Sequence, residues 1–101
     1  MRLIGKQLLE EFSERHADAR GWIENWIADV EGSIWQTPQE LKSKYPKASL
    51  LAGNVVIFDV RGNDYRLETI IAYRNALVQA IWAGTHAQYD KRNKQLRGKR
   101  K

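Results

Sequence analysis

The sequence predicts an α+β fold in which an amino-terminal strand and helices pack on one face of an antiparallel sheet. Three observations predict it. Apolar residues recur at helical spacing in the first half of the chain. From Val55 onward they run continuously or alternate, as strands do, and Gly62-Asn63 and Arg74-Asn75-Ala76 supply tight turns between those runs. A chain of 101 residues with 43% apolar content supports one modest core. The expected organisation is a single domain over residues 1–90 followed by a basic tail, 91–101.

Taken in order, Arg2-Leu3-Ile4 suits a short edge strand, and from Lys6 to about Arg15 a helix places Leu8, Leu9 and Phe12 on one face. A second helix is expected from Ala19 to Ile34. Its apolar stripe is Trp22, Ile23, Trp26, Ile27, Val30 and Ile34, with Glu24, Asp29 and Glu31 on the remaining surface and Gly32-Ser33 as a stop. Helical spacing assigns Trp22 and Trp26 to core packing rather than to an aromatic ligand box. Thr37-Pro38-Gln39-Glu40 has the residues of a capping box with proline at the first helical position, so a short helix runs through Leu41 toward Tyr45 and stops before Pro46. Pro46 to Gly53 reads as loop. The β-branched run Val55 to Val60 reads as a buried strand. Beyond the turn, Tyr65, Leu67, Thr69, Ile71 and Tyr73 alternate with Arg66, Glu68, Ile70, Ala72 and Arg74, and Leu77 to Ala83 forms the returning strand.

Charge is unevenly distributed. Met1 to Asp90 holds 10 Lys and Arg against 12 Asp and Glu, whereas Lys91 to Lys101 holds seven basic residues and no acidic one. Such a segment tracks a phosphate backbone with a steeply salt-dependent affinity, and it reads equally as a solvated terminus. There is no cysteine, and the two histidines, His16 and His86, lie far apart in sequence. Neither a metal centre nor a cofactor is expected. The start of the chain has no long apolar leader and no apolar run approaches a membrane span, so the expectation is a cytoplasmic soluble protein with no membrane partner.

Hairpin geometry brings distant residues together. If Arg74-Asn75-Ala76 closes a hairpin, residue numbers on its paired strands sum to about 150, which sets His86 opposite Asp64 with Asn63 and Arg66 nearby. The same geometry chooses between two arginines. Arg66 and Arg74 share a strand face but stand roughly 26 Å apart, so one phosphate cannot engage both. His86 returns to the Arg66 end, which makes Arg66 the candidate for a reacting phosphate and leaves Arg74 as an exposed turn residue or a contact for another macromolecule. The turn at Gly62-Asn63 also sets Asp59 opposite Arg66, a pairing that reads as a surface ion pair worth about 0–1 kcal/mol. A guanidinium stays protonated and its planar fork suits two phosphate oxygens, so a functional role is favoured.

The run Val56-Ile57-Phe58-Asp59-Val60, followed by Gly62-Asn63, Tyr65-Arg66-Leu67 and Thr85-His86-x-x-Tyr89-Asp90, resembles the HigB family of toxin components, relatives of RelE. The ordered set and its spacings carry the resemblance, which extends from Met1-Arg2-Leu3-Ile4 to about Asp90. It implies the RelE-like architecture, with one sheet face covered by helices and the other free for RNA. It also implies a ribosome-dependent mRNA endoribonuclease that inhibits translation and is held inactive by a helix-turn-helix, HigA-like antitoxin. The implied partners are mRNA on the ribosome, ribosomal RNA and that antitoxin.

Within this frame Arg66, His86 and Tyr89 are the catalytic candidates. Histidine ordinarily titrates near neutrality, which suits transfer of a proton to or from a 2′-hydroxyl and a 5′-leaving oxygen; a lone histidine is weak evidence, and the family motif is what assigns His86 that role. Tyr89 and Asp90 follow His86 by three and four residues, so one helical turn puts them on its side. Tyr89 then contacts the phosphate or stacks on a base, and Asp90 either orients the imidazole or caps and packs at the sheet edge. Arg61, Asn63, Lys91, Arg92, Lys94 and Arg97 are the RNA-binding candidates. Gly62 serves the turn, and Asn63 is also explicable by a left-handed backbone alone. Two rivals are a non-catalytic toxin on the same scaffold, similar to ParE proteins that act on DNA gyrase, and a basic-tailed nucleic-acid-binding module.

Overall fold

Side-chain spacing decides the layers. In the computed structural model, which describes residues 1–99 and the side chains of residues 1–94, the order is β1 (Arg2–Ile4), α1 (Lys6–Arg15), α2 (Arg20–Gly32), α3 (Pro38–Lys44), β2 (Ser49–Leu51), β3 (Val55–Val60), β4 (Tyr65–Ala72), β5 (Leu77–Thr85) and α4 (His86–Lys99). Leu9 and Phe12 of α1, Ile23, Trp26 and Val30 of α2, and Leu41 of α3 are buried because their spacing puts them on one side of each helix. Gly5 links β1 to α1 at φ 102°, and a Cβ there would lie 2.6 Å from the Ala80 carbonyl oxygen. Only glycine fits that approach.

Proline at the first position and the Thr37 hydroxyl, which accepts the Glu40 N–H at 3.3 Å, start α3 as expected. The Glu40 carboxylate accepts from the Gln36 N–H at 3.3 Å, one residue earlier than the standard box. The second helix ends at Gly32, where Gly32-Ser33 marked a stop, and only the apolar stripe was drawn too far: the chain turns extended at Ser33, which leaves Ile34 70% exposed and rotates Trp35 into the core instead. The segment from Pro46 is not wholly loop, because Ser49–Leu51 pairs antiparallel with Val55–Ile57 as an edge strand. All three of its residues are exposed, so no alternation marked it.

The sheet has the order β1-β5-β4-β3-β2, with β1 parallel to β5 and every other pair antiparallel. Val56, Phe58, Val60, Leu67, Ile71 and Val78 turn one sheet face toward the helices. Trp26 and Tyr45 meet the Phe58 ring edge-on at 5.4 and 5.2 Å. The buried Thr69 hydroxyl donates to the Val56 carbonyl at 2.9 Å, so the one polar residue inside β4's core face is satisfied.

Register matters most between β4 and β5. From Tyr65–Thr85 to Glu68–Trp82 the paired numbers sum to 150, and from Thr69–Ala80 to Ala72–Leu77 they sum to 149. Ile81 is therefore the extra residue of a β-bulge. It has a geometric consequence. Ala80 and Trp82 are two residues apart and would share a face in an unbroken strand; the bulge sends Ala80 into the core and Trp82 to the opposite face, beside Glu68. The basic segment is likewise not a separate tail over its described length, since it continues α4 to Lys99. No described helix is long and apolar enough to cross a membrane.

Leu67 is fully buried at the centre of β4. Leu67→Ala is expected to lower the free energy of unfolding in urea by about 2–5 kcal/mol through lost burial and a residual cavity. A loss below about 1 kcal/mol would contradict this placement of the core.

Candidate functional site

The start of α4 organises the open end of the sheet. The Thr85 hydroxyl accepts the Gln88 N–H at 3.1 Å, and the Gln88 side-chain oxygen accepts the Thr85 N–H at 3.0 Å. Thr85-His86-Ala87-Gln88 is thus a reciprocal capping box, a signal that the Thr-x-x-Gln spacing carries in the sequence. It makes His86 the first helical residue. The His86 N–H also donates to the Asp64 carbonyl at 3.2 Å, the partner expected from hairpin geometry. One turn on, an Asp90 carboxylate oxygen lies 3.2 Å from His86 Nδ1. That contact favours a hydrogen on Nδ1 and leaves Nε2 for another group.

Arg66 lies on β4 directly opposite Asp59 of β3 and Gly84 of β5. Its side chain is only 12% exposed, with Nε 3.3 Å from Asp59. Nη2 donates to the Asn63 side-chain oxygen at 2.7 Å and Nη1 to the Tyr65 carbonyl at 3.2 Å. The ion pair and the fixed fork are therefore both present. A guanidinium has five N–H donors, so part of the fork remains for a ligand oxygen. Asn63 acts here as an acceptor that holds Arg66. The left-handed backbone in this turn belongs to Arg61, at φ 53°, and Gly62, at φ 71°, rather than to Asn63.

Helix α4 lies across the open face of the sheet and is seated on Trp82. The Arg92 guanidinium stands 5.3 Å from the indole centroid and pairs with Glu68, while the Tyr89 ring lies 6.0 Å from the same indole. A Cβ at Gly84 would come within 2.7 Å of both the Trp82 ring and the Gln88 side chain, so glycine makes room for that seat. Burial raises the Tyr89 phenol above its ordinary pKa. The negative charge of Glu68 adds to the rise, and Arg66 and Arg92 oppose it. Tyr89 is thus a protonated donor at neutral pH, in the field of two cations.

The charges of Arg66 and Arg92 both act on Tyr89, and His86, paired with Asp90, stands three residues before Tyr89 at the start of α4. Arg61 stands apart from them. It reaches the Asp18 carboxylate at 2.6 Å and the Asp64 carboxylate at 3.4 Å. Lys91 and Lys94 are exposed on α4. Arg97 lies on the α4 backbone, but its side chain is outside the described residues. Glu68, Trp82 and Gln88 were absent from the sequence candidates, and of these only Gln88 had a local signal. Among the described residues no three His, Cys, Asp or Glu side chains gather as a metal site requires.

A family model described as HigB_toxin, RelE-like toxic component of a toxin-antitoxin system, matches residues 19–92. No curated protein matches the chain.

The turn that presents Asn63 is tied to the α1–α2 connection by Asp18, which accepts from the Tyr65 hydroxyl at 2.7 Å and pairs with Arg61. The Tyr65 hydrogen bond is the largest cause holding the Asp18 carboxyl below its ordinary 3.8, with Arg61 adding to it and burial opposing. A depressed carboxyl stabilises the fold fully above its ordinary value and loses that contribution as pH falls through the lowered one. Tyr65→Phe is expected to move the Asp18 titration, followed by carboxyl-carbon NMR, up toward 3.8. An unchanged titration would contradict the assignment of cause.

Proposed function

The chain belongs to the HigB family of RelE-like toxins, and from that premise we propose that it is an mRNA endoribonuclease acting on messages held by the ribosome. A helix-turn-helix antitoxin neutralises it. The requirement for the ribosome and the identity of the antitoxin rest on the family; the chemistry rests on side chains. The observation that most supports the reading is the convergence of Arg66 and Tyr89 on one stretch of the open face beside the His86–Asp90 pair.

The 2′-hydroxyl next to the scissile bond attacks phosphorus, the bond to the 5′-oxygen breaks, and the products are a 2′,3′-cyclic phosphate and a 5′-hydroxyl. Negative charge grows on the non-bridging oxygens as the phosphorane forms. Arg66 meets it with the donors that Asn63 and the Tyr65 carbonyl leave free, and its rigid mounting means little reorganisation during reaction. The Tyr89 phenol, an O–H donor whose loss of a proton burial makes harder still, donates to the same phosphate. His86 moves the proton through Nε2 while Asp90 holds Nδ1. Lys91, Lys94 and Arg97 add attraction for the RNA backbone, and Arg61 and Arg92 do so beyond their pairings with Asp18, Asp64 and Glu68. A small set of acids and bases gains from a ribosome that holds the message in a reactive conformation.

Arg66→Ala and His86→Ala are each expected to slow cleavage of a translated message by about 10²- to 10⁴-fold, read by primer extension as cuts in phase with codons. Circular dichroism should show both folded. Wild-type rates in both variants would overturn the proposal, and broken DNA in place of cut message would point to the ParE-like action instead.

A further inference from the structure

Strand β1 covers only Leu77–Gln79 of β5, so among the described residues the outer edge from Ile81 to Thr85 has no strand beside it. That edge borders a cleft of about 420 Å³ between the end of α1 and the flank of α4. Arg15 and His16 line one wall, Lys91 and Arg92 the other, and Trp82 and Gly84 form the floor. Among the described residues no acidic side chain lines it. Arg92 is paired with Glu68, whereas among the described residues neither Arg15 nor Lys91 has a carboxylate within 4.0 Å. The His16 ring is braced by Phe12 and Tyr65 at 4.9 and 4.8 Å. The cleft therefore offers unneutralised cations, two ring systems and an open strand edge.

These features suit a polyanion with flat bases. A single-stranded nucleic acid supplies phosphates for the cations, π-faces for the rings and base edges for outward backbone groups. The location fits too. Gly84 sits opposite Arg66 in the ladder and also on the cleft floor, so a strand with its reacting phosphate at Arg66 continues across Gly84 toward Arg15. We propose that this cleft is a subsite for a nucleotide flanking the scissile phosphate, its phosphate held by Arg15 and Lys91 and its base set against Trp82 and His16. The proposal rests on the endoribonuclease reading and extends it to residues of α1.

The probe is a fluorescein-labelled RNA hexanucleotide with a 2′-deoxy sugar at its centre, compared with a labelled dinucleotide too short to reach the cleft. Anisotropy is followed over a series of salt concentrations. Arg15→Gln and Lys91→Gln are each expected to weaken hexanucleotide binding roughly two- to fivefold and to reduce the slope of log K against log salt by about 0.7. Dinucleotide binding should stay unchanged in Arg15→Gln. Hexanucleotide affinity and slope equal to wild type in Arg15→Gln, or an equal loss for both probes, would overturn the subsite. Cleavage by Arg66→Ala is scored separately: a dead Arg66 variant beside an unaffected Arg15 variant removes the subsite alone, while an uncut message with Arg15-dependent binding removes the endoribonuclease reading alone.

Discussion

One extra residue in β5 is the constraint on which the site depends. Strand side chains alternate with a period of two, so Val78 and Ala80 facing the core would carry Trp82 into the core as well. Ile81 breaks that parity. Trp82 emerges on the open face opposite Glu68, and these two form the seat on which α4 lies through Arg92 and Tyr89. Gly84 and Thr85 then follow in the register that sets Gly84 against Arg66 and starts the helix at His86. Core packing on one face and site assembly on the other are joined by this single irregularity.

The electrostatics of the site express a balance between holding Arg66 and leaving it usable. Asp59 and Asn63 hold the guanidinium in place and partly satisfy it. A phosphate competes with Asp59 for the charge, but it meets a side chain whose rotamer entropy has already been lost on folding. Tyr89 shows the complementary effect, because burial and Glu68 disfavour its phenolate while the nearby cations make its site attractive to an anion. Arg92 has two attachments, to Glu68 and to the Trp82 indole, and so belongs to the frame of the site as much as to its ligand-facing charge.

Features governed by local rules were legible in the sequence. The apolar stripe of α1, the Thr37 cap, the limits of β3 and the facing of Asp59 with Arg66 all follow from periodicity and turn length. The expected sum of 150 holds at the site end of the hairpin because the bulge lies on the turn side of Glu68 and Trp82. Features set by tertiary contact were not legible. Strand β2 has no buried face to pattern it, and the inward turn of Trp35 past the end of α2 has no periodic signal. Ile81 looks like any apolar strand residue, so Trp82 gave no sign of its outward direction. The pairing of Arg61 with Asp18 across the fold, from a left-handed backbone, likewise had no local signal. His16 and Arg15, remote in sequence from every motif, reach the cleft beside α4 only through packing of α1 against β5.

The central claim is that Arg66 and His86 act on one phosphate at one moment. Single-turnover cleavage of a message on purified ribosomes by wild type, Arg66→Ala, His86→Ala and the double variant tests it directly. Groups that serve one transition state are strongly non-additive, so the double variant should be about as slow as the slower single variant. Losses that multiply, with the double variant slowed by the product of the two single effects, would contradict the account.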